Sequence, residues 1–275
     1  MTPKIQTLAF RIPWEVNPAA SGNLIDGQLT MAQVAIRDLQ FFSNGGLCGG
    51  SKSLNLVTSS IDVSPLWLVD VVASRSRTER PEAQTLLITF QNRTSLHERG
   101  LKRHGSDLSV IKKQELSILD LSQDLFTPKP TGFQPAGLDQ ILTKIKSTID
   151  SKEPTIILEH PEFLFSSGSC SALDLAKFVH NVHSISGCLY LFCNSDEPLI
   201  DIDTPLGGEY ATFLTQVAHQ SSMIVSLRPL NTGRADDVTG VLRTSKGPRI
   251  ILSHHVTEAE YLYLVSGDAV KLFYR

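Results

Sequence analysis

The chain has 275 residues, 41% of them apolar and 19% charged, with a net charge of −3, the composition of an ordinary soluble globular protein. That length supports one large core or two modest ones, and its longest apolar runs (NLVTSSIDVSPLWLVDVVA and CLYLFC) are interrupted or too short to cross a bilayer. The opening MTPKIQTLAFRIPWEV has no basic region followed by an apolar stretch and a small-residue cleavage site, so cytoplasm or nucleus is the expected location.

In chain order, the first readable element is a helix-like run, MAQVAIRDLQFF, followed by GGLCGGSKS at 45–53. The latter imitates a phosphate-binding loop, yet that motif needs the lysine directly after its last glycine, and here Ser51 intervenes before Lys52. The stretch also precedes a strand-like run instead of following one. Its glycines are therefore read as a turn with positive φ.

From Leu54 the pattern alternates. LNLVTS reads as a strand, and SPLWLVDVVASRS as a helix with Ser64 at its N-cap and Pro65 near the first turn. TLLITF is a strand, SLHERGLKR a charged helix, LSILDLS a strand, and FTPKPTGFQPAG a Pro/Gly loop. LDQILTKIKSTI carries a helical stripe. TIILEHPEFLF and GCLYLFCN read as continuous strands buried on both faces, separated by the helix SALDLAKFVHNVHSI. EYATFLTQVAHQ is the last helix. After Ser221 five strand-like runs follow with short turns (MIVSLRPL, DVTGVLRT, RIILSHHV, EYLYLV, VKLFYR), an antiparallel meander closing one edge. Such alternation requires crossover helices on a mainly parallel sheet, so the expected fold class is α/β. One domain spans 1–275: an N-terminal extension at 1–53 whose role the sequence leaves open, an α/β core at 54–220 and antiparallel strands at 221–275.

In such sheets ligands sit at the carboxyl ends of the strands. If the Leu54 strand is central, the phosphate loop is TSSIDVSPLW, with no glycine and no lysine. Ser59, Ser60 and Ser64 can donate hydrogen bonds, while Asp62 puts a negative charge where phosphates would lie. Glu159, ending a buried strand, is placed either to hold magnesium or orient water in a nucleotide site or to cap a turn ahead of Pro161. Glu162 follows three residues later. These positions read as a degenerate nucleotide site with no catalytic residue.

Four cysteines (Cys48, Cys170, Cys188, Cys193) form no C-x-x-C pair. Cys188 and Cys193 share one strand, point to opposite faces and lie about 16 Å apart at roughly 3.3 Å per residue, so both are expected as buried free thiols. His180 and His183 lie one helical turn apart and His254 and His255 sit in a strand run, but no third ligand completes a metal spacing. Between Val71 and Lys113 nine Lys and Arg stand against four acids, leaving the rest of the chain at −8. A local basic surface of this kind attracts polyanions.

The run HQSSMIVSLRPLNTGRADDVTGVLRTSKGP, with a core of Thr232, Gly233, Asp237, Val238, Gly240 and Leu242, resembles the Elongator complex protein 6 family of fungal type, as do IILEHPEFLF and the terminal EYLYLVSGDAVKLFYR. The strand and S-P-L-W helix at Leu54 to Trp67 show it more faintly. The resemblance implies a RecA-like subunit without working Walker motifs that assembles with Elongator subunits four and five. In that family a hexameric ring, two copies of each chain, binds tRNA and serves wobble-uridine modification, with ATP hydrolysis attributed to the ring. This chain alone then binds no cofactor, and ATP belongs to ring interfaces. Arg228, Thr232, Gly233, Arg234, Asp236, Asp237 and Arg243 become the expected subunit contact, although Asp236 can equally close its own turn. RNA contact falls to Arg93, Arg99, Lys102, Arg103, Lys112 and Lys113, because the loop after CLYLFC is acidic (Asp196, Glu197, Asp201, Asp203, Glu209) and repels phosphate. Two rival readings share the fold: a DNA-binding mediator like the recombinase paralogues, and a catalytic RecA-type ATPase.

Overall fold

The computed structural model describes residues 24–25, 28–29, 33–50, 52–129, 132–135, 137–168, 170–230, 233, 235, 237–250, 254–267 and 269–274. Three short strands come first: β1 (Leu24–Ile25), β2 (Gln28–Leu29) and β3 (Gln33–Val34). The α/β alternation then runs β4 (Ser53–Ser59), α1 (Leu66–Glu79), β5 (Thr85–Thr89), α2 (Thr94–Arg103), β6 (Leu116–Asp120), β7 (Phe126–Lys129) and β8 (Gly132–Pro135). It continues through α3 (Leu138–Thr148), β9 (Thr155–Glu159), α4 (Glu162–Ser166), α5 (Ala172–Ile185), β10 (Cys188–Asn194) and α6 (Pro205–Gln220). Strands β11 (Met223–Arg228), β12 (Gly240–Lys246), β13 (Ala259–Ser266) and β14 (Ala269–Tyr274) complete it.

Ten strands form one mixed sheet in the order β3-β14-β13-β12-β11-β4-β10-β9-β5-β6. β4 is central, flanked in parallel by β10 and β11. Pairing is parallel from β11 to β6 and antiparallel from β11 to β3. Crossover helices serve the parallel half and hairpins the other, as the change of pattern after Ser221 requires.

Each central strand feeds two cores because successive side chains face opposite ways. Val57, Leu87, Ile157, Cys188, Tyr190 and Phe192 pack with α1. Leu54, Leu56, Ile156, Leu189, Leu191 and Cys193 pack with α3, α5 and α6. Cys188 and Cys193 thus occupy opposite faces as free buried thiols, in line with their odd spacing.

Four sequence readings need correction. MAQVAIRDLQFF is not helical over its described part. Val34 pairs with Leu272 of β14, residues 36–38 make a single 3-10 turn, and Leu39, Phe41 and Phe42 plug the α1 core. The N-terminal extension therefore supplies core side chains, and tertiary pairing overrides the local period. FTPKPTGFQPAG holds the antiparallel pair β7–β8, where proline is tolerated because a two-stranded ribbon is all edge. TIILEHPEFLF is not one strand. It stops at Glu159, turns at His160 with φ 51° and restarts as α4 behind Pro161, since proline cannot donate to a central ladder. RIILSHHV contributes a lone bridge between Val256 and Phe42, and residues 251–253 of that run lie outside the described residues.

Gly240, in the family-like core of the C-terminal run, marks a close approach. A Cβ there would stand 2.5 Å from the Arg228 carbonyl oxygen and 2.9 Å from the Tyr263 hydroxyl. Backbone on one side and a buried ring on the other leave little room to relax. Gly240→Ala is expected to cost about 1–3 kcal/mol, the usual range for overpacking, measured as a lowered urea midpoint; an unchanged midpoint would show that β11 and β12 can separate freely here.

Candidate functional site

The carboxyl end of β4 is closed by a tight turn. Val63 N–H donates to the Ser60 carbonyl at 3.1 Å, and Ser59 O accepts from Ser195 N–H at 2.8 Å. Ser59 is buried, Asp62 and Ser64 are exposed, and the Ser64 hydroxyl accepts from Leu66 N–H at 3.3 Å at the start of α1. At the turn apex Ile61 N–H donates to both oxygens of Asp196, at 3.1 and 2.9 Å. Asp196 follows β10, so the acidic loop read from sequence folds back onto this turn. A carboxylate of the protein itself occupies the anion-binding backbone at the edge where ligands gather in open α/β sheets.

Glu159 ends β9 two strands away, level with Phe192 and hence with Val57. Its side chain is fully buried and neither caps a turn nor opens to solvent. It instead meets His97 of α2: Nε2 lies 3.0 Å from Glu159 Oε2, and Nδ1 lies 2.7 Å from Oδ1 of Asp70 on α1. Burial pushes the imidazole down, but the hydrogen bonds and charges of Asp70 and Glu159 outweigh it and lift His97 to about 9. Burial likewise pushes Glu159 up, and His97 pulls it below its ordinary value. Asp70 stays raised by burial despite the same partner. With both ring nitrogens held by carboxylates, His97 has no free nitrogen for general-base chemistry. It is a buried cation shared by two acids, and Arg93 stands 4.0 Å from the other Glu159 oxygen.

Local sequence makes this possible in one unexpected place. Glycine inside a helix costs about 1 kcal/mol relative to alanine, yet α2 carries Gly100, and a Cβ there would overlap the Asp70 carboxylate. Beside Glu159, His160 Nδ1 lies 2.8 Å from Glu162 Oε1, which also accepts from Asn194 N–H at 2.9 Å, tying α4 to the end of β10.

The glycine-rich stretch before β4 follows the same rule. Leu47 and Cys48 N–H donate to Glu79 Oε2 at 2.9 and 3.2 Å, and Arg75 pairs with Glu79 Oε1 at 2.7 Å. Gly45 and Gly50 have φ of 80° and 87°, as a turn demands. Lys52 Nζ donates to the carbonyls of Ser184 and Ser186 at 2.9 and 3.0 Å, at the C-terminal end of α5, where a cation complements the helix dipole.

Of the nine basic residues from Val71 to Lys113, five have carboxylate partners: Arg75, Arg77, Arg80, Arg93 and Lys102. Arg99, Lys102 and Arg103 share the exposed side of α2, Lys112 and Lys113 are exposed in the following turns, and Arg93 is drawn toward Glu159. In the expected subunit contact, Arg228 and Arg243 lie exposed on one face of β11–β12, Gly233 has φ 92° and Asp237 is exposed. Thr232, Arg234 and Asp236 lie outside the described residues. Asp70 and His97 escaped the sequence reading; the signals were an acid inside the apolar LWLVDVVA and a glycine inside a helix.

No protein-family model matches the chain. It is 28% identical over 278 residues to Elongator complex protein 6 of Saccharomyces cerevisiae, covering 89% of this chain and 100% of the relative. It is 24% identical over 213 residues to the Elongator complex protein 6 homolog of Schizosaccharomyces pombe, covering 70% of this chain and 80% of that one. The chain is thus similar, over most of its length, to Elongator complex protein 6 of two fungi. Among solved structures it is similar to a KaiC-like protein from Pyrococcus horikoshii, with a TM-score of 0.50 and 10% identity over 89% of this chain and 100% of that one. The fold of the chain is RecA-like: a mainly parallel central sheet with flanking helices and antiparallel C-terminal strands. Among the described residues no helix is long and apolar enough to cross a membrane.

The His97 bracket has a pH signature. A folded-state value near 9 against 6.5 unfolded means that its stabilisation is complete below about 6.5 and lost as pH rises through about 9. His97→Gln is expected to cost about 3–5 kcal/mol near neutrality, the usual loss when a buried pair loses one partner. Denaturant titrations from pH 6 to 10 should show the gap between wild type and variant closing toward the alkaline end; a gap constant with pH would mean His97 is neutral in the fold. Gly100→Ala should be destabilising in the same way, because it displaces Asp70.

Proposed function

We propose that this chain is a non-catalytic subunit of the Elongator complex that assembles with subunits four and five into a hexameric ring of two copies each. The ring binds tRNA and supports wobble-uridine modification, in the cytoplasm and also in the nucleus. The observation that carries the non-catalytic reading is the closed turn at the end of β4. It has no lysine, and its apical amide is held by Asp196, so a triphosphate would face a carboxylate where a P-loop offers a cation. Ser59, Ser60, Asp62, Ser64 and Glu159 are then remnants of a nucleotide site, with Glu159 engaged by His97. One domain over 1–275 is the accompanying reading, this chain alone holds no cofactor, and ATP belongs to interfaces of the ring.

For RNA the chain offers Arg99, Lys102 and Arg103 on α2 with Lys112 and Lys113 beyond it, and partner subunits supply the rest. Arg93, turned to Glu159, contributes little. Lys112→Glu with Lys113→Glu is expected to weaken tRNA binding by the assembled ring and to flatten its salt dependence by about two in slope, taking about one per lost phosphate contact. Equal affinity and slope in filter binding would move the RNA path to the partner chains.

The assembly is tested by mixing the purified chain with Elongator subunits four and five and measuring mass in solution. The expected result is a discrete hetero-hexamer, and a chain that stays monomeric overturns the reading. ATP turnover by the isolated chain, abolished by Glu159→Gln, would restore the catalytic alternative. Tighter binding to duplex DNA than to tRNA, without ring assembly, would restore the DNA-mediator alternative.

A further inference from the structure

On the face covered by α3, α5 and α6 the helical layer stops at α6, because the chain beyond it returns in hairpins. Next to α6 lies an open groove of about 710 Å³, floored by β4, β11 and β12. Its walls are mixed: Leu214 and Ala218 from α6 face Ile224, Leu230 and Val241, with Thr58, Thr215, Ser226 and Ser245 between the aliphatic side chains. The opposite face of the same strands is buried, with Val225, Leu227 and Leu242 in the α1 core. One side of this part of the sheet is therefore packed as an interior, while the other carries half-buried side chains, apolar and polar, with no helix above them among the described residues.

Two arginines set the charge of the groove. Arg228 lies opposite Val241 and Ser226 opposite Arg243, so the arginines are diagonal neighbours on the open face, about 7–8 Å apart. Neither has an ion-pair partner among the described residues, and Glu260 stands opposite Arg243 on β13. With Glu260 in the same lining the groove keeps a net positive charge from the two guanidinium groups, which favours a further carboxylate near Arg228.

The occupant follows from what the groove lacks. Backbone groups of β11 are paired on both sides, with β4 and β12, so a visiting strand finds no ladder to join. No aromatic side chain lines the groove, which argues against stacked bases of single-stranded RNA. A helix laid over the strands completes the layer that ends at α6 and buries the apolar part of the floor, as sheet-covering helices do.

We infer that the groove between α6 and β11–β12 seats an amphipathic helix of a partner protein, apolar toward Ile224 and Val241 and bearing a carboxylate toward Arg228 and Arg243. The ring reading supplies the identity of the partner, subunit four or five. Assignment of this face to a helix seat rests on the groove alone.

The test uses Ser226→Cys in a Cys170→Ser background, so that the remaining native thiols are buried ones, and follows maleimide labelling at position 226. In the assembly with subunits four and five, labelling is expected to slow at least tenfold relative to the free chain. Arg228→Glu with Arg243→Glu is expected to weaken assembly at least tenfold with an unchanged melting temperature of the free chain. Assembly with undiminished labelling overturns the helix seat and leaves the ring intact, whereas failure of the wild-type chain to assemble overturns both. Protection with full affinity in the double variant overturns the acidic character of the occupant. Protection of the free chain by tRNA alone would make the groove a nucleic-acid site and overturn the inference as well.

Discussion

The imidazolium of His97 fixes the relation between α1, α2 and β9, and much of the molecule is arranged around it. Asp70 and Glu159 are buried, and an unpaired buried carboxylate costs several kcal/mol or loses its charge. One ring with a nitrogen toward each acid satisfies both at 2.7 and 3.0 Å. That demands a helix α2 thin enough for Asp70 to pass, hence Gly100. It also demands an α1 buried nearly all round, since a half-exposed α1 would bring water to Asp70. The extension from Val34 to Cys48 packs its apolar side chains into the α1 core, with Glu79 and Arg75 holding its turns.

A single theme links the three polar stations of the structure. At the end of β4, at the glycine turn before it and at the end of β9, a charged side chain is engaged within the chain, while the Ser60 hydroxyl beside the first is buried without a hydrogen-bond partner among the described residues. Asp196 takes the amide of Ile61, Glu79 takes the amides of Leu47 and Cys48, and His97 takes Glu159. Each is a charge-assisted bond at ordinary length, so each must be broken before an outside ligand can replace it. Lys52, the lysine within the glycine-rich stretch, is occupied at the far end of α5. The chemistry of the chain is directed inward, which suits a protein whose work lies in its surfaces.

How much of this the sequence disclosed depended on range. Elements whose signal is local periodicity were legible: β4, α1, β5, α2, β6, α3, α5, β10 and α6 all lie where apolar spacing put them, although the N-cap of α1 is Pro65 and not Ser64. Break points carried by a single residue were misread when the apolar run continued past them, as at Pro161. The extension at 33–48 was misread because its form is set by partners more than 200 residues away in β14 and at Val256. The polar site was half legible. Glu159 was singled out for its place at the end of a buried strand, but His97 and Asp70 are 62 and 27 positions from their partners, and no spacing rule reaches across three elements. The basic surplus after Val71 was real in composition and largely spent on ion pairs in space.

The asymmetry of the sheet connects these points to assembly. A parallel pair needs a crossover, and each crossover brings a helix that covers a face; an antiparallel hairpin brings none. When the chain changed from crossovers to hairpins after α6, it therefore kept extending the sheet while ceasing to cover it. On the α1 side the consequence is met internally, because Trp67 and the extension reach over Tyr263 and Leu272. Facing α6 nothing in the described chain does the same. Burying the apolar part of that floor is worth about 25 cal/mol per Å². The same step in topology that ends the helical layer thus leaves this part of the sheet open on the α6 side among the described residues.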